Sequence, residues 1–118
     1  MNYLQEYKDF INAYTTGVIS AEMTGELIAK LALYYSDYNL QLVVAQKKLF
    51  QVARDIESRE EGGKTISSAK AQSFIQATEE NSVVMDLKAH IGNLESFQSA
   101  LRSLQRGQLN EYSYQQSQ

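Results

Sequence analysis

The sequence predicts an all-α protein, an elongated antiparallel hairpin or bundle with two long helices and two short ones. Three observations predict this class. The 118 residues contain no proline, which breaks helix interiors. Apolar residues repeat with heptad spacing through the first half of the chain, and a second stripe with steps of 3 and 4 occupies the last third. Such spacing is typical of helices that pack along one another.

The first helix is predicted within residues 3–14, where aromatic and aliphatic residues recur at spacings of 3 and 4 and form one apolar stripe. Gly17 follows it and can adopt the left-handed conformation that is common just past helix ends. Ser20 then provides a good N-cap for the next helix, and Glu22 places a negative charge in its first turn, where the helix dipole favours one.

The second helix, predicted from Ala21 to about Glu60, carries the longest pattern. Nine residues separated by alternating steps of 3 and 4 form what we call the core seam: Ile28, Leu31, Tyr35, Tyr38, Leu42, Ala45, Leu49, Val52 and Ile56. At 1.5 Å per residue this helix would be roughly 60 Å long. A compact domain of this size has a diameter of roughly 35 Å, so the sequence predicts either a slender fold or cover from neighbouring chains.

A second apolar pattern lies off the core seam on the same helix. We call it the outer strip, and its members are Leu33, Leu40, Val43, Val44 and Phe50. One intramolecular partner helix cannot easily cover both faces, and exposed apolar patches of this extent commonly mark interfaces. We therefore expect a homo-oligomer in which the outer strip lies at the interface.

The rest of the chain is predicted to turn at Gly62 and Gly63, form a short third helix capped by Ser67 or Ser68, and restart at Thr78. The stripe of the last helix consists of Val84, Leu87, Ile91, Leu94, Phe97, Leu101 and Leu104. We expect this helix to end at Leu109 or Tyr112, and Gly92 and Gly107 within it to mark a bend or a close approach of backbones. Residues 1–112 would form a single helical domain, followed by a polar, frayed tail at 113–118.

Composition argues against several classes of protein. The chain has 11 basic and 14 acidic residues, a net charge of −3, whereas duplex-DNA binders usually carry a basic excess. It has no cysteine, which excludes disulfides and thiolate chemistry. The start lacks the pattern of a signal peptide, and no apolar run approaches the roughly 18 residues that span a bilayer. We expect a cytoplasmic protein that does not bind membranes.

No motif predicts catalysis or a metal site. Gly63-Lys64-Thr65 matches the end of a phosphate-binding P-loop, but position 58 holds serine where that motif needs glycine. His90 is the sole histidine; with Asp86 one turn earlier it provides too few ligands for a metal. The sequence therefore predicts no catalytic residue, no metal, no cofactor and no enzymatic activity.

The most distinctive cluster is Tyr34, Tyr35 and Tyr38, in a chain with eight tyrosines. Core packing with the hydroxyl groups at the rim is their simplest role; lining a ligand pocket or an interface is the alternative. Arg102 and Arg106 share a face of the last helix and are either solvated or bind phosphate or an acidic partner. If the long helices are antiparallel about the glycine turn, the two groups lie at similar heights and converge on a site for an anionic ligand with a base.

Three segments of the chain carry a family resemblance, namely Tyr34-Tyr35-Ser36-Asp37-Tyr38-Asn39-Leu40, the helix start Ser68-Ala69-Lys70-Ala71 and residues 100–112. Through them the chain resembles small helical proteins encoded by phages and prophages. The resemblance spans most of the chain but implies no active-site residues. It implies a binder that serves DNA metabolism, virion assembly or inhibition of host defence.

These observations together predict a non-enzymatic, self-associating helical protein of phage type that recognises a protein or a ligand. One alternative is an anti-defence sponge that sequesters a small nucleotide signal in a pocket between helices. A further alternative is an accessory to single-stranded DNA recombination, in which aromatic rings stack on bases. The sequence identifies neither the partner nor the number of subunits.

Overall fold

The computed structural model describes the chain from Asn2 to Gln116, with side chains described as far as Glu111. Within these residues the chain forms four helices and one small hairpin. The helices are α1 (Tyr3–Thr15), α2 (Ala21–Glu57), α3 (Ser68–Gln76) and α4 (Glu79–Gln116), and the strands β1 (Glu60–Glu61) and β2 (Lys64–Thr65) lie between α2 and α3. The predicted all-α class, with two long and two short helices, is confirmed.

Each helix begins at a polar side chain that accepts a hydrogen bond from a backbone N–H three residues later. The four caps are Asn2, Ser20, Ser67 and Thr78, with donor–acceptor distances of 2.9 to 3.2 Å. Such caps satisfy one of the N–H groups that have no partner inside the helix. The predicted cap at Ser20 is confirmed, and Ser67 rather than Ser68 caps α3.

The segment between α2 and α3 is more ordered than the polar turn that the sequence predicts. Glu60 pairs with Thr65 and Glu61 with Lys64 in an antiparallel ladder. Gly62 and Gly63 form the two-residue loop at φ values of +60° and +80°, which the favoured type I′ turn requires at both positions. Because the hairpin begins at Glu60, α2 ends at Glu57, three residues earlier than predicted.

The contacts divide the chain into two compact units. The first unit contains the described residues up to Asp37 and from Gly92 onward, and the second unit contains Tyr38–Ile91. Both long helices run through both units, where the sequence predicts a single domain over residues 1–112. The backbone of α4 continues to Gln116, so residues 113–116 of the predicted tail are helical; Ser117 and Gln118 lie outside the described residues.

Large apolar side chains from α1, α2 and α4 pack together in the first unit. Tyr3, Leu31, Leu94 and Leu101 are each at most 1% exposed. Aromatic rings of α1 lie against α4, where the Tyr7 ring stacks on Phe97 at a centroid distance of 3.9 Å. Aromatic pairs of this kind add roughly 0.5–1.5 kcal/mol beyond their area burial.

Polar side chains of α4 reach the start of α2 in the same unit. Gln105 Nε2 donates to the carbonyl oxygen of Ala21, and Gln108 Nε2 donates to that of Ile19, both at 3.1 Å. Thr24 is fully buried, and its hydroxyl lies 2.8 Å from Gln108 Oε1 and 3.1 Å from the carbonyl oxygen of Ser20. These contacts set the antiparallel register of α2 and α4 in the first unit.

A smaller apolar cluster forms the centre of the second unit. Ala45, Val84 and Leu87 are buried together, with Tyr38, Leu42 and Leu49 packed against them. Ile56, near the end of α2, and Ala71 of α3 are also buried. In this unit too, α2 and α4 are antiparallel, since Tyr38 stacks on His90 while Ala45 packs with Val84 and Leu87.

The core seam is confirmed as the buried side of α2. All nine of its residues are buried or half-buried, and so are all seven residues of the predicted α4 stripe. The five residues of the outer strip are between 50% and 74% exposed. The helices within residues 2–116 lack the long, strongly apolar stretch that crossing a bilayer requires.

Gly25, rather than Gly92 or Gly107, is the glycine of the long helices that lies against another side chain. A Cβ added at Gly25 would be 2.8 Å from Gln105 Nε2, whereas a Cβ at either of the other two meets nothing within 4 Å. The expectation of a close approach at Gly92 or Gly107 is therefore wrong, and alanine fits at both.

We predict that Gly92→Ala and Gly107→Ala each raise the free energy of unfolding by about 1 kcal/mol, since glycine costs about that much inside a helix. Gly25→Ala should give no comparable gain, because its Cβ displaces the Gln105 amide and weakens a hydrogen bond that contributes about 1 kcal/mol. Urea denaturation at one fixed protein concentration measures all three. Equal stabilisation by Gly25→Ala would contradict the packing of Gln105.

We also predict that Thr24→Val lowers the free energy of unfolding by about 1–3 kcal/mol, because Gln108 Oε1 then loses its buried donor. A double-mutant cycle with Gln108→Met isolates the bond. The pair should cost about 1 kcal/mol less than the sum of the single variants, and strictly additive costs would rule out a contribution from this contact.

Candidate functional site

The tyrosines of the predicted cluster make contacts within their own units. Tyr34 is half-buried, and its ring lies 6.0 Å from that of Tyr3. The Tyr35 hydroxyl donates to Glu95 Oε1 at 3.0 Å in the first unit. Tyr38, in the second unit, stacks on His90 with centroids 5.1 Å apart and an interplanar angle of 22°. The rings of Tyr34 and Tyr38 therefore pack against rings of other helices, and Tyr35 is joined to α4 through its hydroxyl group.

Arg102 and Arg106 are exposed on α4, and the register of the first unit separates them from Tyr35. Since Tyr35 pairs with Glu95, Arg102 lies seven residues farther along α4, or roughly 10 Å. Arg106 lies near Gln108, which contacts Thr24 at the opposite end of this part of α2. The structure therefore does not bring the arginines to the height of Tyr35, and the convergence expected from the sequence is wrong; their roles in binding stay predictions.

A small cavity of about 300 Å³ lies beside Tyr34, lined by Lys30, Leu33, Tyr34 and Asp37. Lys30 forms an ion pair of 2.7 Å with Glu6 of α1. The hydrogen bond that Lys30 donates to Glu6, and then the negative charge of Glu6, raise the pKa of Lys30. The Glu6 side chain is 9% exposed, and its Oε2 atom is buried without a hydrogen-bond partner among the described residues. The pair ties α1 to α2.

A concave surface with a volume of about 580 Å³ lies in the second unit. We call it the groove. Its α2 wall presents three apolar side chains, one amide and, at the end, one base, namely Leu40, Gln41, Val44, Ala45 and Lys48. Its α4 wall presents two acids and then apolar side chains, namely Glu79, Glu80, Val83 and Leu87. Its volume falls within the range of roughly 300–1,000 Å³ typical of binding sites.

The outer strip is distributed over the groove and its surroundings. Leu40 and Val44 line the groove and are 67% and 55% exposed. Val43 and Phe50 lie on the same helix in the same unit and outside the groove lining, while Leu33 belongs to the first unit and lines the smaller cavity. The five predicted interface residues are thus exposed and accessible to another molecule. That they lie at the interface of a homo-oligomer stays a prediction.

The contribution of α4 to this surface does not follow from the sequence pattern of either helix alone. Val83 is 45% exposed and lies in the groove beside the acids of the first turn of α4. A signal was present, because Val83 directly precedes the buried Val84 and so points away from the core stripe. Recognising it as a partner of Leu40 and Val44 required the register of the two helices.

The comparisons with known proteins add no relative. Neither the protein families, nor the curated proteins, nor the solved structures that were searched match this sequence.

Proposed function

We propose that this chain is a non-enzymatic, self-associating helical protein that acts by binding, and that the outer strip together with the groove forms its binding surface. The observation that carries the proposal is the exposure of Leu40, Val43, Val44 and Phe50 within about three turns of α2. Clusters of exposed apolar side chains commonly mark interaction sites on proteins. Scattered exposed apolar residues would need no such explanation.

Burial of this surface would supply the free energy of association. Transfer of an exposed aliphatic or aromatic side chain from water stabilises by about 1.5–3 kcal/mol when burial is complete. A few such residues in the centre of an interface commonly provide most of the binding energy. Leu40 and Val44 are the best candidates, because they belong to the outer strip and also line the groove.

The nucleotide sponge and the accessory to single-stranded DNA recombination have less support from the structure. Both need accessible aromatic rings next to positive charge. Tyr34 and Tyr38 pack on Tyr3 and His90, and Arg102 lies about 10 Å along α4 from the partner of Tyr35. The sponge remains an outcome of the experiment below.

We predict that the double variant Leu40→Ser/Val44→Ser weakens self-association at least about tenfold, since a loss of 1.4 kcal/mol already has that effect. Sedimentation velocity over a dilution series measures the change against the unaltered protein. Met85→Ser is the matched control, because Met85 is an exposed apolar residue of the same unit that lies outside the groove lining. It should leave association unchanged.

Far-UV circular dichroism of each variant verifies that the helices are retained. A protein that sediments as a monomer at every concentration would refute self-association. Native mass spectrometry of the same preparation would reveal a bound nucleotide by its mass and by absorbance at 260 nm. A fixed stoichiometry of such a ligand would replace the proposal by the sponge.

A further inference from the structure

We propose that the groove of the second unit binds the same groove of a second copy of this chain, around a two-fold axis that runs along the groove. This inference rests on the proposed function and specifies its partner, its surface and its symmetry. The arrangement of charges on the two walls makes the groove complementary to its own image after a two-fold rotation. A second copy of the chain is therefore the occupant that fits it.

The charged residues of the two walls lie at the same end of the groove. Tyr38 and His90 stack on each other, and the helices are antiparallel. Lys48 lies ten residues after Tyr38 and Glu80 lies ten residues before His90, so both lie roughly 15 Å from that pair in the same direction. The α2 wall is therefore basic, and the α4 wall acidic, at one common height.

These charges are not neutralised across the groove within one chain. Among the residues that the structure describes, the ion pairs join Glu6 to Lys30 and Glu61 to Lys70. Lys48 has no carboxylate within ion-pair distance in this part of the chain, and neither Glu79 nor Glu80 has a basic partner there. A partner molecule can therefore provide the opposite charges.

A two-fold rotation about the length of the groove keeps every residue at its own height and exchanges the two walls. It places α2 of one copy on α4 of the other, in antiparallel directions, as in a four-helix bundle. Each Lys48 then faces Glu79 and Glu80 of the other copy. At the apolar end, Leu40 faces Leu87, with Val44 and Val83 between. The interface is self-complementary, as a two-fold symmetric dimer requires.

A two-fold axis across the groove gives a poorer match. It would place α2 on α2 in antiparallel directions about Val44, so that each Lys48 lies on Leu40 of the other copy. An ammonium group would then be removed from water without a charged partner, which is costly. An unrelated partner helix would need matching charges of its own, whereas a second copy carries them by construction.

Charge reversal provides the test. Lys48→Glu alone, or Glu79→Lys/Glu80→Lys alone, places like charges against each other at both symmetry-related contacts of the two-fold dimer, and each should weaken self-association at least about tenfold. An equimolar mixture of the two proteins restores opposite charges at both contacts. We expect the mixture to form a heterodimer with an affinity within about tenfold of the unaltered dimer.

Native mass spectrometry with one variant labelled with ¹⁵N distinguishes the heterodimer from the two homodimers by mass. Lys88→Glu is the matched control, because Lys88 is an exposed lysine of the same unit outside both the groove lining and the outer strip, and it undergoes the same change of charge. It should self-associate like the unaltered protein. Glu79→Gln/Glu80→Gln serves as a second variant if lysines unfold the first turn of α4, where acids suit the helix dipole; it should weaken the dimer less than the reversal does.

The outcomes separate this inference from the proposed function. If the unaltered protein self-associates but Lys48→Glu does so equally well, or the mixture gives a statistical distribution of dimers, the symmetric groove dimer is refuted while the binding role of the outer strip stands. If the unaltered protein is monomeric throughout, the self-association in the proposed function is refuted as well.

Discussion

The constraint on which the structure depends is that α2 has apolar residues on two sides. Side chains of α4 contact its core seam in both units, at Tyr35 and at Ala45, and Tyr3 of α1 lies against α2 in the first unit. A single neighbouring helix packs against only one stripe of another. Leu40, Val43, Val44 and Phe50 therefore remain in solvent on a helix whose other side is well packed.

Different interactions fix the register of α2 against α4 in each of the two units. In the first unit, amide groups of Gln105 and Gln108 bind carbonyl oxygens at the start of α2, so directional hydrogen bonds specify the register. In the second unit, Ala45, Val84 and Leu87 form a small apolar cluster. Non-directional packing specifies register less strongly than polar contacts do, and there the caps at Ser67 and Thr78 and the glycine loop fix where each helix begins.

The features that depend on local chemistry were predictable from the sequence. Helix spacing gave the core seam, and the capping rule gave Ser20. The hairpin was missed because its strands are two residues long, too short for a periodic pattern. Only the α2 side of the groove was predictable, because the outer strip lies on one helix. Val83, Glu79 and Glu80 come next to it only through the pairing of α4 with α2. The positions of Arg102 and Tyr35 along the helix pair are set by contacts between residues that are 60 or more positions apart in the sequence. The periodicity of a single helix does not encode such contacts.

Exposed apolar surface alone does not determine what covers it, because hydrophobic burial is non-directional. Direction comes from the polar groups around it. Lys48 on one wall and Glu79 and Glu80 on the other penalise any partner that lacks the opposite arrangement, since like charges at an interface cost several kcal/mol. The same acids stabilise the first turn of α4 through the helix dipole. In the proposed dimer, Glu79 and Glu80 would contribute both to the start of α4 and to the selection of the partner, so the acidic wall cannot be neutralised by substitution without weakening the start of that helix.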